Sequence, residues 1–560
     1  ATLSNSTSAP WGNSDAVELP DGKVAVGWIS GDGSGDTGIT IEILDSDFNL
    51  VAGPTTLPSV MPTLEGNQSL SMTTDFLSHV IFTWGDDDQK ALFYSLGDSE
   101  GNFITPPLVT KSSYSHNDIS PGAAGQGSAP WPTDFVTNWY GGAVVTADQN
   151  VVAVGRPHIG SEVASYTGFS SGSLTQYVPM LFKQMWGSYD SALYIQNADP
   201  SNTANISIKF YDSNGTLNCT KADTISAQSS KGYWLPSETC LPANWYGGVV
   251  VTSDRNIVAV GRPHIGNQVM TYNGFASGGS TMYVPMLFKQ MWGSYDSAFY
   301  VQNTDAVEDA NVTIRYYDPS GTLSCETTDI IPKLSSHGYW LPSESCLPAN
   351  WYGGVVVTSD RNIVAVGRPH LGSEITTYNG FAGGSTTMYA PMLFKRFNGN
   401  YDSALYIQNV DPTNTASITI KFYDQSGFLS YSQGDTIEPG SSKGYWLPDI
   451  SGLPSTWEGS VKVESDQPVV GIARPHLGSS VTAYDGFTGG GTVSSVPMLF
   501  KQMWGSYDSA LYMENISPTT IANVTVKFYD VDGNLSCVRN DTIPAMGVLD
   551  YWLPSLSCSP

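Results

Sequence analysis

The chain has 560 residues, and its 24 Lys and Arg against 51 Asp and Glu give a formal net charge of −27. At roughly 100–200 residues per domain, this length predicts about three to five domains. A pI near 4.4 excludes the Lys/Arg surface that nucleic-acid binding requires. The aromatic content of 12 % excludes intrinsic disorder. Since no run of 18 apolar residues occurs, we expect no membrane-spanning helix.

The first 137 residues contain a weak internal duplication. Lys23–Trp28 matches His79–Trp84, and Phe48–Pro54 parallels Asn102–Pro107. Each copy has the pattern of a strand, an acidic loop, a strand and a turn. We therefore predict an N-terminal β-domain over residues 1–137, built from two blade-like repeats.

These two copies resemble blades of the propellers found in sialidase-type proteins. The segment has neither the Arg triad nor the S-x-D-x-G-x-T-W box of sialidases, so the resemblance implies no such activity. Two blades cannot close a propeller, which needs at least about four. The segment is therefore expected to be a small β-domain or a β-element that another chain completes.

Acidic loops in this first segment are the only candidates for binding calcium. Asp45–Asn49 begins like a calcium loop, but Leu50 and Thr56 occupy its sixth and twelfth positions, where Gly and Glu are required. Gly31–Gly38 and Asp86–Asp88 are further acidic loops. Ordinary hairpin turns are the favoured interpretation, with calcium as the alternative. We expect no other metal and no organic cofactor.

The remainder of the chain is a repeat with a fixed period of 106 residues. The string PMLF begins at Pro179, Pro285, Pro391 and Pro497, and the strings RPH and YDSA recur with the same step. Four copies at one period indicate tandem domains. We frame them as 138–243, 244–349, 350–455 and 456–560. In an alternative frame the units start at Tyr177, which leaves a half-domain at each end to be completed between chains.

Within each unit the pattern is that of β-strands. Ile206, Ile208 and Phe210 alternate with polar residues, and Asn214-Gly215 follows as a turn. The strings AVVT and NVVAV on either side of residues 147–149 predict a second hairpin. About seven short strands in a unit of this size are typical of an immunoglobulin-like sandwich. The predicted fold class is all-β: an N-terminal β-domain followed by four tandem Ig-like antiparallel β-sandwich repeats.

Six cysteines form three pairs, each with a spacing of 21 residues. They are Cys219 and Cys240, Cys325 and Cys346, and Cys537 and Cys558. The third unit has Tyr431 and Gly452 at the equivalent places, so both partners are missing together. This joint loss predicts disulfides within the units rather than free thiols or a metal site. Disulfides indicate an oxidising compartment, so we expect an extracellular, secreted or cell-surface protein.

Ten N-x-S/T sequons are candidate glycosylation sites. Several lie at predicted strand ends or hairpin tips, where a glycan would be sterically allowed; they include Asn205, Asn214, Asn218, Asn311, Asn523 and Asn534.

The repeated RPH triplet is the most conspicuous candidate for a site, because a His can act as a base or a ligand. Four identical catalytic sites in tandem would be unusual, so we interpret the triplet as a structural corner. In this interpretation Pro ends the strand and Arg pairs with the repeated Asp. The residues are Arg156, His158 and Asp190; Arg262, His264 and Asp296; Arg368, His370 and Asp402; and Arg474, His476 and Asp508.

Two series of Trp recur at the same period. One is Trp139, Trp245, Trp351 and Trp457, and the other is Trp234, Trp340, Trp446 and Trp552. Exposed Trp could stack on sugar rings, and buried Trp would anchor the sandwich. Their places beside Gly and Pro favour packing between successive units.

The repeats resemble the tandem Ig-like modules of bacterial extracellular surface and filament proteins. The shared pattern is PMLFK, then YDSALYIQN, then FYD-x-x-G-x-L, then the hairpin VVVTSD. The resemblance covers residues 138–560 and implies an architecture rather than a chemistry.

Together these features predict a structural extracellular protein and not an enzyme. We expect a rigid rod of four sandwiches that forms a filament, sheath or surface layer. Copies of the chain would join head-to-tail by β-strand complementation, because an incomplete sheet has an edge that another chain can extend. The alternative is an adhesin or carbohydrate-binding stalk whose partners are cell-surface glycans. A hydrolase would need an acid pair that the sequence does not locate.

Overall fold

The computed structural model describes residues 14–18, 23–31, 37–45, 49–56, 69–74, 80–86, 91–97, 108–111, 135, 137–556 and 558. The chain is 66 % strand and 3 % helix, which confirms the all-β class. It divides into two compact units, residues 1–133 with 559–560, and residues 134–558. Among the described residues, no helix has the length and apolarity needed to cross a bilayer.

The first unit contains two four-stranded antiparallel sheets, each connected strand by strand in chain order. The strands are β1 (Ser14–Glu18), β2 (Val24–Gly31), β3 (Thr37–Leu44) and β4 (Leu50–Thr56), then β5 (Ser69–Thr74), β6 (Val80–Asp86), β7 (Ala91–Gly97) and β8 (Leu108–Lys111). The duplicated segments at Lys23–Trp28 and His79–Trp84 thus supply the second strand of each sheet, apart from His79, which lies outside the described residues. Most of the candidate calcium loops also lie outside them. At Asp45–Asn49, the Asp45 carboxylate accepts the Asn49 N–H at 2.8 Å.

The second unit consists of four eight-stranded sheets, which we call sheets I to IV. It opens with β9 (Trp139–Ile159), β10 (Glu162–Val163) and β11 (Tyr166–Thr167), which belong to sheet IV. Sheet I contains β12 (Ser173–Lys183), β13 (Tyr189–Asn197), β14 (Ala204–Asp212), β15 (Leu217–Ile225), β16 (Ser230–Trp234), β17 (Trp245–Ile265), β18 (Gln268–Val269) and β19 (Tyr272–Asn273).

The remaining strands repeat this order. Sheet II contains β20 (Gly279–Lys289), β21 (Tyr295–Asn303), β22 (Ala310–Tyr317), β23 (Leu323–Ile331), β24 (Ser336–Trp340), β25 (Trp351–Leu371), β26 (Glu374–Ile375) and β27 (Tyr378–Asn379). Sheet III contains β28 (Ser385–Lys395), β29 (Tyr401–Asn409), β30 (Ala416–Asp424), β31 (Leu429–Ile437), β32 (Ser442–Trp446), β33 (Trp457–Leu477), β34 (Ser480–Val481) and β35 (Tyr484–Asp485). Sheet IV adds β36 (Gly491–Lys501), β37 (Tyr507–Asn515), β38 (Ala522–Asp530), β39 (Leu535–Ile543) and β40 (Val548–Trp552). The 3₁₀ helices are Leu235–Ser237, Leu341–Ser343, Leu447–Asp449 and Leu553–Ser555.

A long strand of 21 residues organises each sheet. In sheet I, the first half of β17 pairs with β12 and β14, and its second half pairs with β13, β18 and β19. The strand therefore runs through both parts of a curled sheet with the order β15-β14-β17-β13-β16. The predicted hairpin about residues 147–149 is wrong, because β9 continues through this segment. The expectation that Pro ends the strand is also wrong: Pro263 lies inside β17, opposite Ser191.

The predicted alternation on β14 is confirmed, and it builds the core of sheet I. Ile206, Ile208 and Phe210 are all buried, with Phe210 fully enclosed. The Phe210 ring lies 5.8 Å from the ring of Trp245, which sits at the start of β17. Trp245 belongs to the second sequence unit and packs on strands of the first. The sheets thus follow a different frame from the sequence units, since each takes its long strand from the next copy.

Sheet IV has no following copy, and the long strand comes instead from the start of the repeat region. β9 pairs with β36, β37 and β38 in the same register that the other long strands use. For example, Asp508 lies opposite His158, as Asp190 lies opposite His264. The four sheets therefore close into a ring, and the expected linear rod of four sandwiches is wrong. β-strand complementation does occur, but within one chain.

Hydrogen bonds between copies also hold the centre of the ring. The Asn273 side chain donates to the Thr167 carbonyl at 2.7 Å, and Asn379 donates to the Asn273 carbonyl at the same distance. The Asn379 N–H donates to the Asp485 carboxylate at 2.8 Å. On the fourth side, the Ser480 hydroxyl donates to the Ser161 carbonyl at 3.1 Å. Equivalent residues of all four copies thus meet around one axis.

The structure contains three disulfides, Cys219–Cys240, Cys325–Cys346 and Cys537–Cys558, each with Cα atoms 5.5 Å apart. In sheet III the ring of Tyr431 fills the equivalent space, since a Cβ on Gly452 would lie 2.0 Å from it. The aromatic ring and the glycine thus replace the covalent bond as a complementary pair. The three disulfides fit an extracellular or secreted protein.

A buried carboxyl in sheet IV makes the stability of the ring depend on pH. Glu514 stands where the other sheets have Gln196, Gln302 and Gln408, and burial raises its pKa well above the usual value. The Gln196 amide donates to the Gln228 carbonyl at 3.1 Å. Among the described residues, neither carboxyl oxygen of Glu514 has a hydrogen-bond partner.

We predict that Glu514→Gln raises the free energy of unfolding at pH 8 by about 1–3 kcal/mol, because the neutral amide is buried without the proton uptake that the carboxyl requires on folding. The raised pKa keeps Glu514 protonated in the folded state while it ionises in the unfolded chain above about pH 4.3. Wild-type stability should therefore fall as pH rises from about 4.3 towards the folded pKa. The variant should have a shallower slope, because only the contribution of Glu514 is removed while Glu458 and Asp485, whose pKa values are also raised to about 7, remain. Chemical denaturation at pH 5 and pH 8 measures both effects, and equal slopes would contradict the assignment.

Candidate functional site: grooves between neighbouring sheets

An aromatic groove lies between sheets I and II. It is a cavity of about 440 Å³, lined from sheet I by Trp186, Tyr189 and Tyr246, and from sheet II by Tyr300, Trp340, Arg368 and His370. We call it groove I–II. The same residue types, displaced by multiples of 106, occur at two of the other three contacts between sheets, and the contact between sheets III and IV differs.

A tight turn presents the first Trp of the groove. The N–H of Met185 donates to the Tyr189 carbonyl and the N–H of Tyr189 donates back to the Met185 carbonyl, both at 2.9 Å. Trp186, at the tip, has φ of +50° and is 64 % exposed. A bulky side chain in the left-handed region is strained, and such strain is found at functional sites.

The repeated Asp residues hold this turn. A carboxylate oxygen of Asp190 accepts the N–H of Gln184 at 2.8 Å. Asp296, Asp402 and Asp508 make the equivalent bond in the other copies. The expected Arg–Asp ion pairs are absent from the part of the chain that the structure describes. The Asp series thus positions the turn that carries the exposed Trp.

The repeated Arg residues contact Tyr rings instead. The guanidinium of Arg368 lies 5.3 Å from the centre of the Tyr300 ring and 5.9 Å from that of Tyr189. Arg262 is placed in the same way against Tyr194 and Tyr507, which join sheets I and IV. Arg368 is only 5 % exposed. Arg262 and Arg368 therefore each bridge two sheets by cation–π contacts, whereas Arg156 and Arg474 each contact one ring, Tyr512 and Tyr406.

The repeated His residues lie edge-on to the second Trp series. The ring of His370 is 5.1 Å from that of Trp340, and His264 is 5.2 Å from Trp234. Burial, together with the neighbouring Arg charge, lowers the pKa of His370 to about 3. The other three His residues have the same shift from the same causes. Each imidazole is therefore neutral at physiological pH.

The two Trp series that the sequence singled out have different roles. Trp139, Trp245, Trp351 and Trp457 are buried in the sheet cores. Trp340 is 38 % exposed and borders groove I–II. Its equivalent Trp234 is also 38 % exposed and borders the groove between sheets IV and I. The sequence reasoning missed the third series, Trp186, Trp292 and Trp504, although KQMWG recurs at the same period.

Five of the six named candidate glycosylation sites have their side-chain nitrogens engaged, namely Asn205, Asn218, Asn311, Asn523 and Asn534. Asn205 donates to Asp254 at 2.7 Å, Asn311 to Asp360 at 2.8 Å, and Asn523 to Asp148 at 2.6 Å. All three are exposed on strands. A glycan would replace one donor hydrogen at each site, and glycosylation stays a prediction.

In the described part of the chain, no group of three or more His, Cys, Asp or Glu residues is placed to hold a metal ion. A second cavity of about 580 Å³ lies between sheets II and III, bordered by Tyr283 and Arg315. The guanidinium of Arg315 is already paired with Glu326 at 2.7 Å. The aromatic grooves thus remain the best-formed candidate sites.

Comparison with known proteins adds little to this picture. No family model matches the chain, and no curated protein matches it. It is similar to the crystal structure of Thermotoga maritima 1070, with 21 % identity, 19 % of this chain and 97 % of that chain covered, and a TM-score of 0.17. It is also similar to a tetra-tandem repeat in the extending region of a large adhesion protein, with 11 % identity, 98 % and 100 % covered, and a TM-score of 0.11. The site must therefore be interpreted from its own geometry, and the chain is described as a tandem β-repeat protein.

We predict that Trp292→Asn changes the free energy of unfolding by less than about 1 kcal/mol. Asn adopts a left-handed backbone conformation with less strain than Trp, and this gain offsets the ring contacts that are lost. Trp292 has φ of +51°, and the equivalent residue of the third copy is Asn398 with φ of +49°. Denaturant titration of the two proteins is the measurement. A loss of 2 kcal/mol or more would show that the Trp is a structural anchor instead.

Proposed function

We propose that this chain is an extracellular, non-catalytic repeat protein that binds carbohydrate in the grooves between its sheets. The observation that carries the proposal is the pairing of exposed, strained Trp with a second Trp and a buried Arg in groove I–II. Apolar walls with a few convergent polar groups are typical of small-ligand sites. Aromatic faces suit the C–H faces of sugar rings, and the Arg and His nitrogens suit their oxygens.

The ring also supports this proposal, because it places several copies of one groove on a single rigid body. Weak single-site affinities combine into strong attachment when several sites engage one surface. A closed ring further fixes the spacing of the sites, since every long strand is paired on both sides. These properties favour an adhesin-type role over a flexible stalk.

We predict that saccharide binding quenches or shifts the Trp fluorescence of the full chain. We also predict that Trp340→Ala weakens binding at groove I–II by about tenfold, because an aromatic wall contributes ~1–1.5 kcal/mol to the binding free energy. A panel of neutral and acidic oligosaccharides is titrated by fluorescence and calorimetry. Phe428→Ala is the matched control, because Phe428 is 71 % exposed on a hairpin turn outside the groove. Equal binding by both variants, or no binding to any saccharide, would contradict the proposal.

A second candidate function is self-assembly into a filament, sheath or surface layer. Since sheet IV is completed by β9 of its own chain, a head-to-tail joint would have to use other strand edges. Among the described residues, the end strands β4 and β8 of the two sheets in the first unit each pair with one other strand, and an edge of this kind can be extended by another chain. Negative-stain microscopy at high protein concentration would show polymers if this candidate is right and discrete particles if it is wrong.

A further inference from the structure

The four grooves are not identical, and the difference concerns charge. Resting on the proposed carbohydrate binding, we propose that three of the grooves bind an acidic saccharide, one that carries a carboxylate, and that the groove between sheets III and IV excludes it.

The first step is the unpaired guanidinium. Among the described residues, Nε and Nη1 of Arg262, Arg368 and Arg474 are buried and have no hydrogen-bond partner. A buried cation without a partner is costly, and the cation–π contacts offset only part of this cost. Arg368 lines groove I–II, so a carboxylate of a ligand bound there would supply a counter-charge close to the guanidinium.

The second step is that Arg368 is the only formal charge lining groove I–II, because His370 is neutral at physiological pH. The carboxylates around the groove are already engaged: Asp190 and Asp296 each accept a turn N–H at 2.8 Å, and one more lies behind Tyr339. It belongs to Asp329, which bonds His337 at 2.7 Å and the Tyr339 hydroxyl at 2.9 Å. The lining of groove I–II therefore has a net charge of about +1 and attracts an anion.

The third step is the position of the aromatic rings. Trp186 stands over Tyr189, with ring centres 5.1 Å apart, and Tyr246 lies 6.3 Å from Tyr300. The buried Arg thus lies at the base of aromatic walls. A free inorganic anion would leave these walls uncovered, whereas a sugar acid covers them and presents its carboxylate to the Arg.

The groove between sheets III and IV departs from this pattern at three positions. Asn398 replaces the exposed Trp, Glu458 replaces Tyr, and Asp550 replaces Gly. Both carboxyl groups interact electrostatically with Arg156, the Arg of this groove. Burial and the neighbouring Asp550 raise the pKa of Glu458 to about 7.

Glu458 and Asp550 supply Arg156 with the counter-charge that a bound acidic saccharide would supply in the other three grooves. Arg156 already donates from Nη1 to the Tyr512 hydroxyl at 3.0 Å, unlike the other three Arg residues. Two carboxyl groups now face its charge from β33 and β40, so this groove contains its own counter-charge for the Arg. One Trp wall is also missing. An acidic saccharide therefore meets no uncompensated cation here.

The experiment is calorimetric titration of the full chain at pH 8 with trigalacturonate. We expect three sites per chain, and we expect its fully methyl-esterified form to bind at least tenfold more weakly, because only the charge is removed. Arg368→Gln should lower the number of sites to two. Thermal denaturation of this variant establishes that it is folded, and the methyl ester tests the same charge without any substitution.

A gain of function gives the sharper control. The triple variant Asn398→Trp, Glu458→Tyr, Asp550→Gly restores the pattern of the other grooves and should raise the number of sites to four. Equal binding of the acid and its ester would overturn this inference while leaving the proposed function intact. Four sites in the wild type, or binding of a sulfated trisaccharide as tight as that of trigalacturonate, would also overturn it. Failure of every saccharide, neutral or acidic, would overturn both.

Discussion

Pairing of β9 with the strands of sheet IV is the interaction on which the rest of the structure depends. A long strand is the central member of each sheet, and four copies in a row supply it to only three sheets from the following copy. The fourth sheet would be left without its centre, with unpaired N–H and C=O groups on β37 and β38. β9 fills this place in the same register, so the first long strand of the repeat region completes the last sheet. The closure turns a series of equivalent units into one body.

Closure also explains why the candidate sites are grooves between sheets. Three of the grooves take an exposed Trp and two Tyr from one sheet, and all four take the Arg–His pair from the next sheet, so no single sheet contains a whole site. The Arg–His pair of the divergent groove comes from β9 itself, whereas its Glu458 and Asp550 come from near the end of the chain. The groove whose Arg–His pair comes from β9 is thus the one with a different charge. The four sheets repeat one topology, but three of the grooves between them share one set of residues and the fourth has a different set.

Sequence patterns predicted the local features well because each depends on neighbouring residues. The alternation at Ile206, Ile208 and Phe210 specified a half-buried strand, and the 106-residue period specified four equivalent units. The bend inside β9 was mistaken for a hairpin because polar residues between two apolar runs give the same pattern in both cases. The closed ring could not be predicted from the 106-residue period, because a linear array of units and a closed ring of units have the same sequence repeat. The sequence pattern favours Asp as the partner of each Arg because opposite charge is the commoner partner, whereas the structure places every one of these Arg residues against a Tyr ring.

The most direct test of this account is the distance between the two ends of the repeat region. Spin labels at Asn150→Cys and Thr519→Cys would sit on exposed residues beside the backbone bond from Ile516 N–H to the Asn150 carbonyl. Pulsed electron resonance should give a single distance of roughly 30 Å or less, because the labels are separated by a few strand spacings of ~5 Å. Four domains in a linear array would separate them by a distance on the order of 100 Å. A distribution centred at the longer distance would contradict the closed ring and, with it, the grooves that depend on it.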